Sequence, residues 1–128
     1  MSLKSQRNKK KIASKARKGF RGYPLATIAY YGPTDKLATK VVVSIVADED
    51  VEPDPMRKWF SDKDVRSEDN IVQEILRFLE EQAVKSVAML DRIIGCPHEE
   101  GIDYPEGEAC PHCPFWKGRD RWTGERMH

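Results

Sequence analysis

The segment from Cys96 to Cys113, CPHEEGIDYPEGEACPHC, contains all three cysteines of the chain and two of its three histidines. The tripeptide Cys-Pro-His occurs twice in it, and the second copy continues to a further cysteine, which gives a C-x-x-C pair. Thiolate and imidazole donors in two close groups, joined by a short loop, match the needs of a tetrahedral zinc ion. The sequence therefore predicts a structural zinc site. Its predicted ligands are Cys96, His98, Cys110 and Cys113, with His112 as a substitute ligand.

The string CPHC at 110–113 resembles the active-site motif of the DsbA-type thiol-disulfide oxidoreductases. The resemblance implies that Cys110 would be the nucleophile at the start of a helix and Cys113 its resolving partner. Only fifteen residues follow Cys113, and the first of them is Pro114. That length is too short for the helix and strands of a thioredoxin-like fold. Thiol-disulfide exchange therefore ranks only as the second alternative to a structural zinc site.

The tripeptide His-Glu-Glu at 98–100, followed by the C-x-x-C pair, resembles the H-x-E…C-x-x-C signature of the zinc deaminases. The resemblance implies that His98, Cys110 and Cys113 would hold zinc. Glu100 would then transfer protons. The interval of eleven residues between the histidine and the first cysteine of the pair is too short for the strand and helix of that family. Cys96 would also close the coordination position that catalysis needs open. A metal-dependent hydrolase or deaminase-like enzyme therefore ranks behind the structural zinc site, as its first alternative.

The first twenty-one residues are strongly basic. They carry nine lysines and arginines and no acid, whereas Gly22 to His128 carries thirteen bases against twenty-one acids, a formal charge of −8. Such a segment neutralises phosphates and releases their counterions, although it could also add solubility or contact the acidic remainder of the chain. We predict salt-sensitive, sequence-tolerant binding of RNA, DNA or a ribonucleoprotein. The predicted contacts are Arg7, Lys9, Lys10, Lys11, Lys15, Arg17, Lys18 and Arg21.

The elements that must position these residues begin with a predicted hairpin. Leu25–Tyr31 and Lys40–Ala47 are rich in β-branched and aromatic residues, which favour strands. The residues Gly-Pro-Thr-Asp at 32–35 form a turn cluster between them. The string MRKWFSD at 56–62 predicts a short helix that would bring Trp59 and Phe60 onto the core.

The most regular helical pattern is SEDNIVQEILRFLEEQAVK, at 67–85. Its apolar residues recur at helical spacing on one face, and acidic residues occupy the first turn. The string VAML at 87–90 predicts a strand buried on both faces. The predicted fold class is α+β: a small antiparallel or mixed sheet, made of the hairpin and one further strand, is covered by one main helix. An irregular C-terminal lobe like a zinc knuckle completes it.

These elements give three predicted parts: a basic flexible arm at 1–22, an α+β core at 23–94, and a metal-binding lobe at 95–128 packed on the core.

No segment approaches the roughly 20 apolar residues needed to cross a bilayer. The N-terminus lacks the apolar stretch of a secretory signal, and three clustered cysteines do not suggest a disulfide framework. We therefore expect a cytoplasmic protein that does not contact membranes.

Aromatic and basic residues alternate in PFWKGRDRWTGER, at 114–126. Aromatic rings beside cations suit single-stranded nucleic acid. The other interpretation, which we favour for Trp116 and Trp122, is that they pack the C-terminal lobe against the sheet.

The strings KKIASKARKGFRGYPLATIAYYGP and DRIIGCPHEEGIDYPEGEACPHCPFWKGRDRWTGE together resemble a group of small uncharacterised bacterial proteins. This resemblance covers most of the chain and implies a bacterial, cytoplasmic setting, with no particular activity. The sequence as a whole predicts a non-catalytic, zinc-stabilised binding module that binds nucleic acid through its basic arm. The rival class is an enzyme in which the metal, or carboxylates such as Asp91 and Glu99, act on a small molecule.

Overall fold

A computed structural model describes residues 12, 14, 16–99, 101–108 and 110–116 of the chain. Four strands and one long helix are described along their whole length, and Ile12, Ser14, Ala16 and Arg17 are also helical. The strands and the long helix are β1 (Leu25–Tyr31), β2 (Lys40–Val46), β3 (Met56–Phe60), α1 (Asp69–Glu81) and β4 (Ser86–Ile93). Two short 3-10 turns, Val65–Ser67 and Pro114–Trp116, precede α1 and follow the cysteine segment. No helix in the described part of the chain is long and apolar enough to cross a membrane.

The strands form one mixed sheet in the order β3-β2-β1-β4. β1 and β2 pair antiparallel as the predicted hairpin, with Ile28 opposite Val43, and β2 pairs antiparallel with β3. β4 lies parallel to β1 at the other side, as expected for a strand that returns after a helical crossover. The fold is therefore α+β, as the sequence predicted.

The helix α1 covers one face of the sheet. Six of its side chains are buried: Ile71, Val72, Ile75, Leu76, Phe78 and Leu79. They pack in one cluster with the inward residues of β1 and β2, among them Ile28, Val41 and Val43. Trp59 fixes α1 to the sheet, because its ring lies edge-on to Phe78 and its Nε1–H donates to Glu74 at 3.0 Å.

The prediction of a short helix at 56–62 is wrong, because Met56–Phe60 forms the edge strand β3. Within this strand only Trp59 is buried, and its neighbours on both sides are exposed. Pairing with β2 sets Trp59 opposite Val41, so its ring enters the core while Phe60 points to the other face. The string MRKWFSD is too short for the spacing of its apolar side chains to distinguish a strand from a helical turn.

The prediction that the last strand is buried on both faces is also wrong. In β4, Val87 is buried, but Ala88 is exposed. Ala88 belongs to the outer face of the sheet, opposite α1, and the helical residue Ala16 lines a cleft on part of that face. The side chains of this outer face are those that alternate with the core residues: Leu25, Thr27, Ala29 and Tyr31 of β1; Lys40, Val42, Ser44 and Val46 of β2; Met56, Lys58 and Phe60 of β3; and Ala88.

Part of the predicted arm contributes to the core. Ile12 is 5% exposed and belongs to the main hydrophobic cluster, against which Ala16 also packs. The backbone N–H of Arg21 donates to Ser86 Oγ at 2.7 Å, which ties the end of this segment to the start of β4. Residues within 12–21 are therefore held to the sheet by burial and by a hydrogen bond.

Asp64 joins the hairpin loop to the turn that precedes α1. Its carboxylate accepts hydrogen bonds from the backbone N–H groups of Ala38, at 3.3 Å, and Arg66, at 3.0 Å. The Arg66 guanidinium adds contacts at 2.8 and 2.6 Å. Burial alone would raise the pKa of Asp64, but these hydrogen bonds outweigh it and lower the pKa.

We expect Asp64→Ala to lower the free energy of unfolding by about 1–3 kcal/mol, because it leaves the Ala38 and Arg66 donors without their acceptor. A carboxyl whose pKa is lower in the folded state stabilises fully above its unfolded value, 3.8, and loses this effect as the pH falls through the folded value. The difference from wild type should therefore be constant near neutral pH and shrink below about pH 4. Urea unfolding across pH measures it. Asp62→Ala, two residues away and exposed, is the control and should change little.

Candidate metal centre

Four side chains converge at the start of the C-terminal lobe. One atom each of Cys96, His98, Cys110 and Cys113 lies within 4.8 Å of every other, and this group could hold a metal ion. All three cysteines are free thiols. The structure thus brings together the four residues whose spacing predicted a site. The histidine contributes Nδ1, the ring nitrogen nearer its own backbone.

The distances between the donor atoms suit a tetrahedral ion. The Nδ1 atom of His98 lies 3.3 Å from Cys96 Sγ, 3.4 Å from Cys110 Sγ and 3.5 Å from Cys113 Sγ. Zinc bonds of about 2.3 Å to sulfur and about 2.0–2.1 Å to nitrogen, at tetrahedral angles, set sulfur–nitrogen separations of about 3.6 Å. Three sulfurs around one nitrogen at nearly this separation leave space for one small cation at their centre.

Short loops set this geometry. The Cys96 sulfur accepts the backbone N–H of His98 at 3.3 Å, which turns Cys-Pro-His so that both side chains face one point. The Glu99 N–H donates to Asp103 Oδ2 at 2.7 Å, and the Gly101 N–H donates to the Tyr104 carbonyl at 2.8 Å. These bonds close the chain between the two donor pairs. Gly101, at φ +82°, adopts the left-handed conformation that this turn requires.

The surroundings disfavour an uncompensated negative charge on the thiols. Burial, reinforced by Cys96 and Cys110, raises the pKa of the Cys113 thiol to about 12. Burial also raises the pKa of Cys96. Thiolates are the forms that bind metals, so a bound cation would supply the charge that stabilises them here.

The hydrophobic cluster among the described residues of the lobe is small. It consists of Tyr104, Cys110 and Cys113, with Cys96 and Trp116 packed against them. Two of the three residues at its centre are therefore members of the candidate metal site itself. Bonds to a metal would replace the apolar packing that holds a larger domain together.

Trp116 connects this lobe to the sheet. Its ring packs against both the lobe cluster and the main core. Its Nε1–H donates to the carbonyl of Gly32 at 2.6 Å, and the N–H of Gly32 donates to the carbonyl of Gly95 at 2.8 Å. The predicted role of Trp116 in packing the lobe on the sheet is thereby confirmed. Trp122 lies outside the described residues.

Lys40 lies beneath the lobe on the outer face of the sheet. Its side chain is buried, and its Nζ donates to the Pro97 carbonyl at 3.1 Å. The strand register places Lys40 between Tyr31 and Phe60, and its ammonium lies 5.6 Å from the centroid of each ring. Burial lowers the pKa of Lys40, an effect that the nearby Glu99 carboxylate opposes. The hydrogen bond to Pro97 attaches the Cys-Pro-His turn to the end of the sheet, and the two rings hold the ammonium by cation–π contacts.

An open cleft of about 650 Å³ lies beside His98. Lys40, Phe60, Glu99 and Asp103 are among its lining residues. Glu99 forms an ion pair with Lys58 at 2.7 Å, and the hydrogen bond from this lysine lowers the pKa of the Glu99 carboxyl. The Glu99 carboxylate, next to His98 in the chain, is therefore held as an ion-paired anion.

The other predicted site residues are distributed as follows. His112 is exposed, with its ring 5.5 Å from that of His98, and it does not belong to the cluster of four. Of the predicted nucleic-acid contacts, Arg17, Lys18 and Arg21 are exposed. Glu100, together with the remaining contacts Arg7, Lys9, Lys10, Lys11 and Lys15, lies outside the described residues.

Sequence reasoning missed Gly32 and Lys40 as supports of the centre. Gly32 was recognised only as a turn residue and Lys40 only as the first residue of a strand. The lone lysine of the apolar string KVVVSIV was a weak signal of a special environment. Its aromatic neighbours, Tyr31 and Phe60, come from the two adjacent strands, and the sequence does not show how those strands align with β2.

No protein-family model, no curated protein and no solved structure matches this chain. The resemblance to a group of small bacterial proteins therefore stays an expectation, and the chemistry of the site is the basis for a functional proposal.

Gly32→Ala should loosen the attachment of the lobe. A Cβ at this position would lie 1.7 Å from the Leu37 carbonyl oxygen, so the hairpin loop would have to open and move the acceptor of Trp116. We expect a loss of unfolding free energy of about 3 kcal/mol or more, in the range of severe packing faults. Hydrogen exchange should show faster exchange in the C-terminal lobe.

Gly101→Ala is the control for this variant. Nothing lies within 4 Å of its would-be Cβ, so only the positive φ of +82° opposes the substitution. This should cost about 1–2 kcal/mol. Equal losses in the two variants would show that the close approach at Gly32 is unimportant.

Proposed function

We propose that the cluster binds one zinc ion through Cys96, His98, Cys110 and Cys113, and that this ion stabilises the lobe rather than catalysing a reaction. The observation that carries the proposal is the position of His98 Nδ1, 3.3–3.5 Å from all three sulfurs. Three soft sulfur donors and one imidazole in a tetrahedral set favour zinc over magnesium or calcium.

Four protein donors favour a structural role. Catalytic zinc sites keep one coordination position for water or substrate, whereas structural sites fill all four. The described residues between His98 and Cys110 form turns and no helix, which argues against the deaminase alternative. Cys110 lies outside any regular element, and within the described residues only a three-residue 3-10 turn follows Cys113, so these residues include no long helix of the thioredoxin-like kind.

Protein purified without added metal should carry about one zinc per chain, measured by atomic spectroscopy. Cys110→Ser should lose most of this zinc, and the amides of the lobe should lose their protection from hydrogen exchange. Cobalt substitution should give the intense visible bands of tetrahedral cobalt with thiolate ligands, because cobalt accepts the same donors.

His112→Gln is the matched control for His98→Gln. Both variants remove one imidazole from the same short loop, but only His98 has a nitrogen near the three sulfurs. Zinc binding should therefore be weakened in His98→Gln and retained in His112→Gln. Absence of zinc from the wild type, or equal loss in both histidine variants, would contradict the proposed ligand set.

We further propose that the chain is a binding module for nucleic acid, alone or in a ribonucleoprotein. The support is the concentration of nine cations and no acid in residues 1–21, against a formal charge of −8 in the remainder. Arg17, Lys18 and Arg21 are exposed at the described end of this segment and are therefore free to approach phosphates.

Replacement of Arg17, Lys18 and Arg21 together by glutamine tests this role. Deleting the segment would be a poorer test, because it also removes Ile12 from the core. The slope of log K against log salt should fall by roughly 2–3, since each lost phosphate contact lowers it by about 0.7–0.9. Fluorescence anisotropy with labelled RNA and DNA oligonucleotides gives this slope.

A variant with glutamine at Lys36, Lys63 and Arg77 makes the same charge change at exposed positions elsewhere. Its salt slope should stay close to that of the wild type. If both triple variants reduce binding equally, only net charge matters, and the basic segment is not the interface.

A further inference from the structure

The outer face of the sheet carries an apolar cleft that the basic segment borders. The cleft measures about 700 Å³, within the range of roughly 300–1,000 Å³ that is typical of ligand sites. Its floor comes from β1 and β4, through side chains that include Leu25, Thr27, Ala29 and Ala88. Ala16, Gly19 and Phe20 line it from the N-terminal side. The wall of the cleft thus belongs to the segment that carries the exposed cations.

Phe20 is the aromatic residue of this wall, and it is 63% exposed. A large apolar side chain this exposed is costly to hydrate, so it marks a surface that benefits from being covered. Tyr23 supports it edge-on, with 5.1 Å between the ring centroids. This contact holds the Phe20 ring from one side and leaves most of its surface accessible at the mouth of the cleft.

Several basic residues lie close to Phe20 in the chain. Arg17, Lys18 and Arg21 are exposed and lie within three positions of Phe20. Lys85 is exposed as well, and its Cδ lies 3.6 Å from where a Cβ on Gly22 would be. An accessible aromatic ring with cations around it is the combination that binds a base and its neighbouring phosphates.

The opposite end of the same sheet face provides the contrast. Phe60 is 64% exposed, nearly the same as Phe20. The cleft that it lines contains one lysine, Lys40, and three carboxylates, those of Asp62, Glu99 and Asp103. These carboxylates would repel phosphates, so exposure alone does not distinguish the two rings, whereas charge does.

We propose that the chain binds single-stranded nucleic acid by stacking a base on Phe20, with the base entering the cleft over β1 and β4 and the backbone following Arg17, Lys18 and Arg21. This proposal rests on the proposed nucleic-acid function and names its substrate class. A single strand is the fitting partner because its bases are free to leave the backbone and stack on protein side chains. A duplex keeps its bases paired inside, where Phe20 has no access to their faces.

The test compares Phe20→Ala, Phe20→Trp and, as control, Met56→Ala at a half-exposed apolar residue of the same sheet face, with binding measured by fluorescence anisotropy. The probes are a single-stranded RNA, a single-stranded DNA of the same sequence, and the corresponding DNA duplex. Phe20→Ala should lose about 5- to 100-fold in affinity for single strands, which corresponds to one stacked base. Its salt slope should be unchanged, because no cation is removed.

The remaining arms should separate stacking from other effects. Phe20→Trp should retain or increase the affinity, Met56→Ala should bind as the wild type does, and the duplex should be insensitive to Phe20→Ala. A preference between the RNA and DNA strands identifies the natural polymer. Thermal melts and sedimentation of each variant report its folding and association state.

Three results would overturn the inference in different ways. Equal affinity of wild type and Phe20→Ala for single strands removes stacking but leaves charge-driven binding intact. Absence of binding to any probe at low salt removes the proposed nucleic-acid function as well. If Phe20→Ala instead dissociates a dimer without changing nucleic-acid affinity, the cleft is a self-association surface.

Discussion

The arrangement of three thiols around one imidazole nitrogen is the constraint on which the C-terminal lobe depends. Apart from that cluster, the hydrophobic contacts among the lobe's described residues come from a buried tyrosine and a partly buried tryptophan, and several turns connect them. Ordering the backbone of these turns costs free energy, because it removes conformational entropy. The proposed metal would supply that free energy through a few strong bonds, and it would also supply the positive charge that buried thiolates need.

The lobe and the sheet are joined at the end of the hairpin. Gly32 serves both sides of this junction, because its N–H and its carbonyl are each bound by residues of the C-terminal part, Gly95 and Trp116. Lys40 adds a second attachment through the Pro97 carbonyl and two flanking rings. A single row of the sheet, Tyr31–Lys40–Phe60, therefore supports the turn that carries two of the four donors.

The two faces of the sheet differ in what covers them. One face is buried by α1, as expected for a two-layer α+β domain. The other face is covered by the C-terminal lobe at one end. It is lined by the basic segment near the other end, with accessible apolar surface between them. Acidic groups accompany the lobe and basic groups accompany the N-terminal segment, so the face is electrostatically polarised. A polyanion would be guided to the basic end and kept from the acidic end.

The sequence by itself determined the hairpin, the main helix, the α+β class and the four donors, because each depends on residues close together in the chain: side-chain period for the elements, and donor spacing for the site. Tertiary structure alone decided that 56–60 forms a strand, that one face of β4 is exposed, and that Gly32 and Lys40 support the lobe. These features depend on strand register and on contacts between residues such as Gly32 and Trp116, 84 positions apart. Local pattern carries no information about such pairings, since they are fixed only when the whole sheet and the lobe pack together.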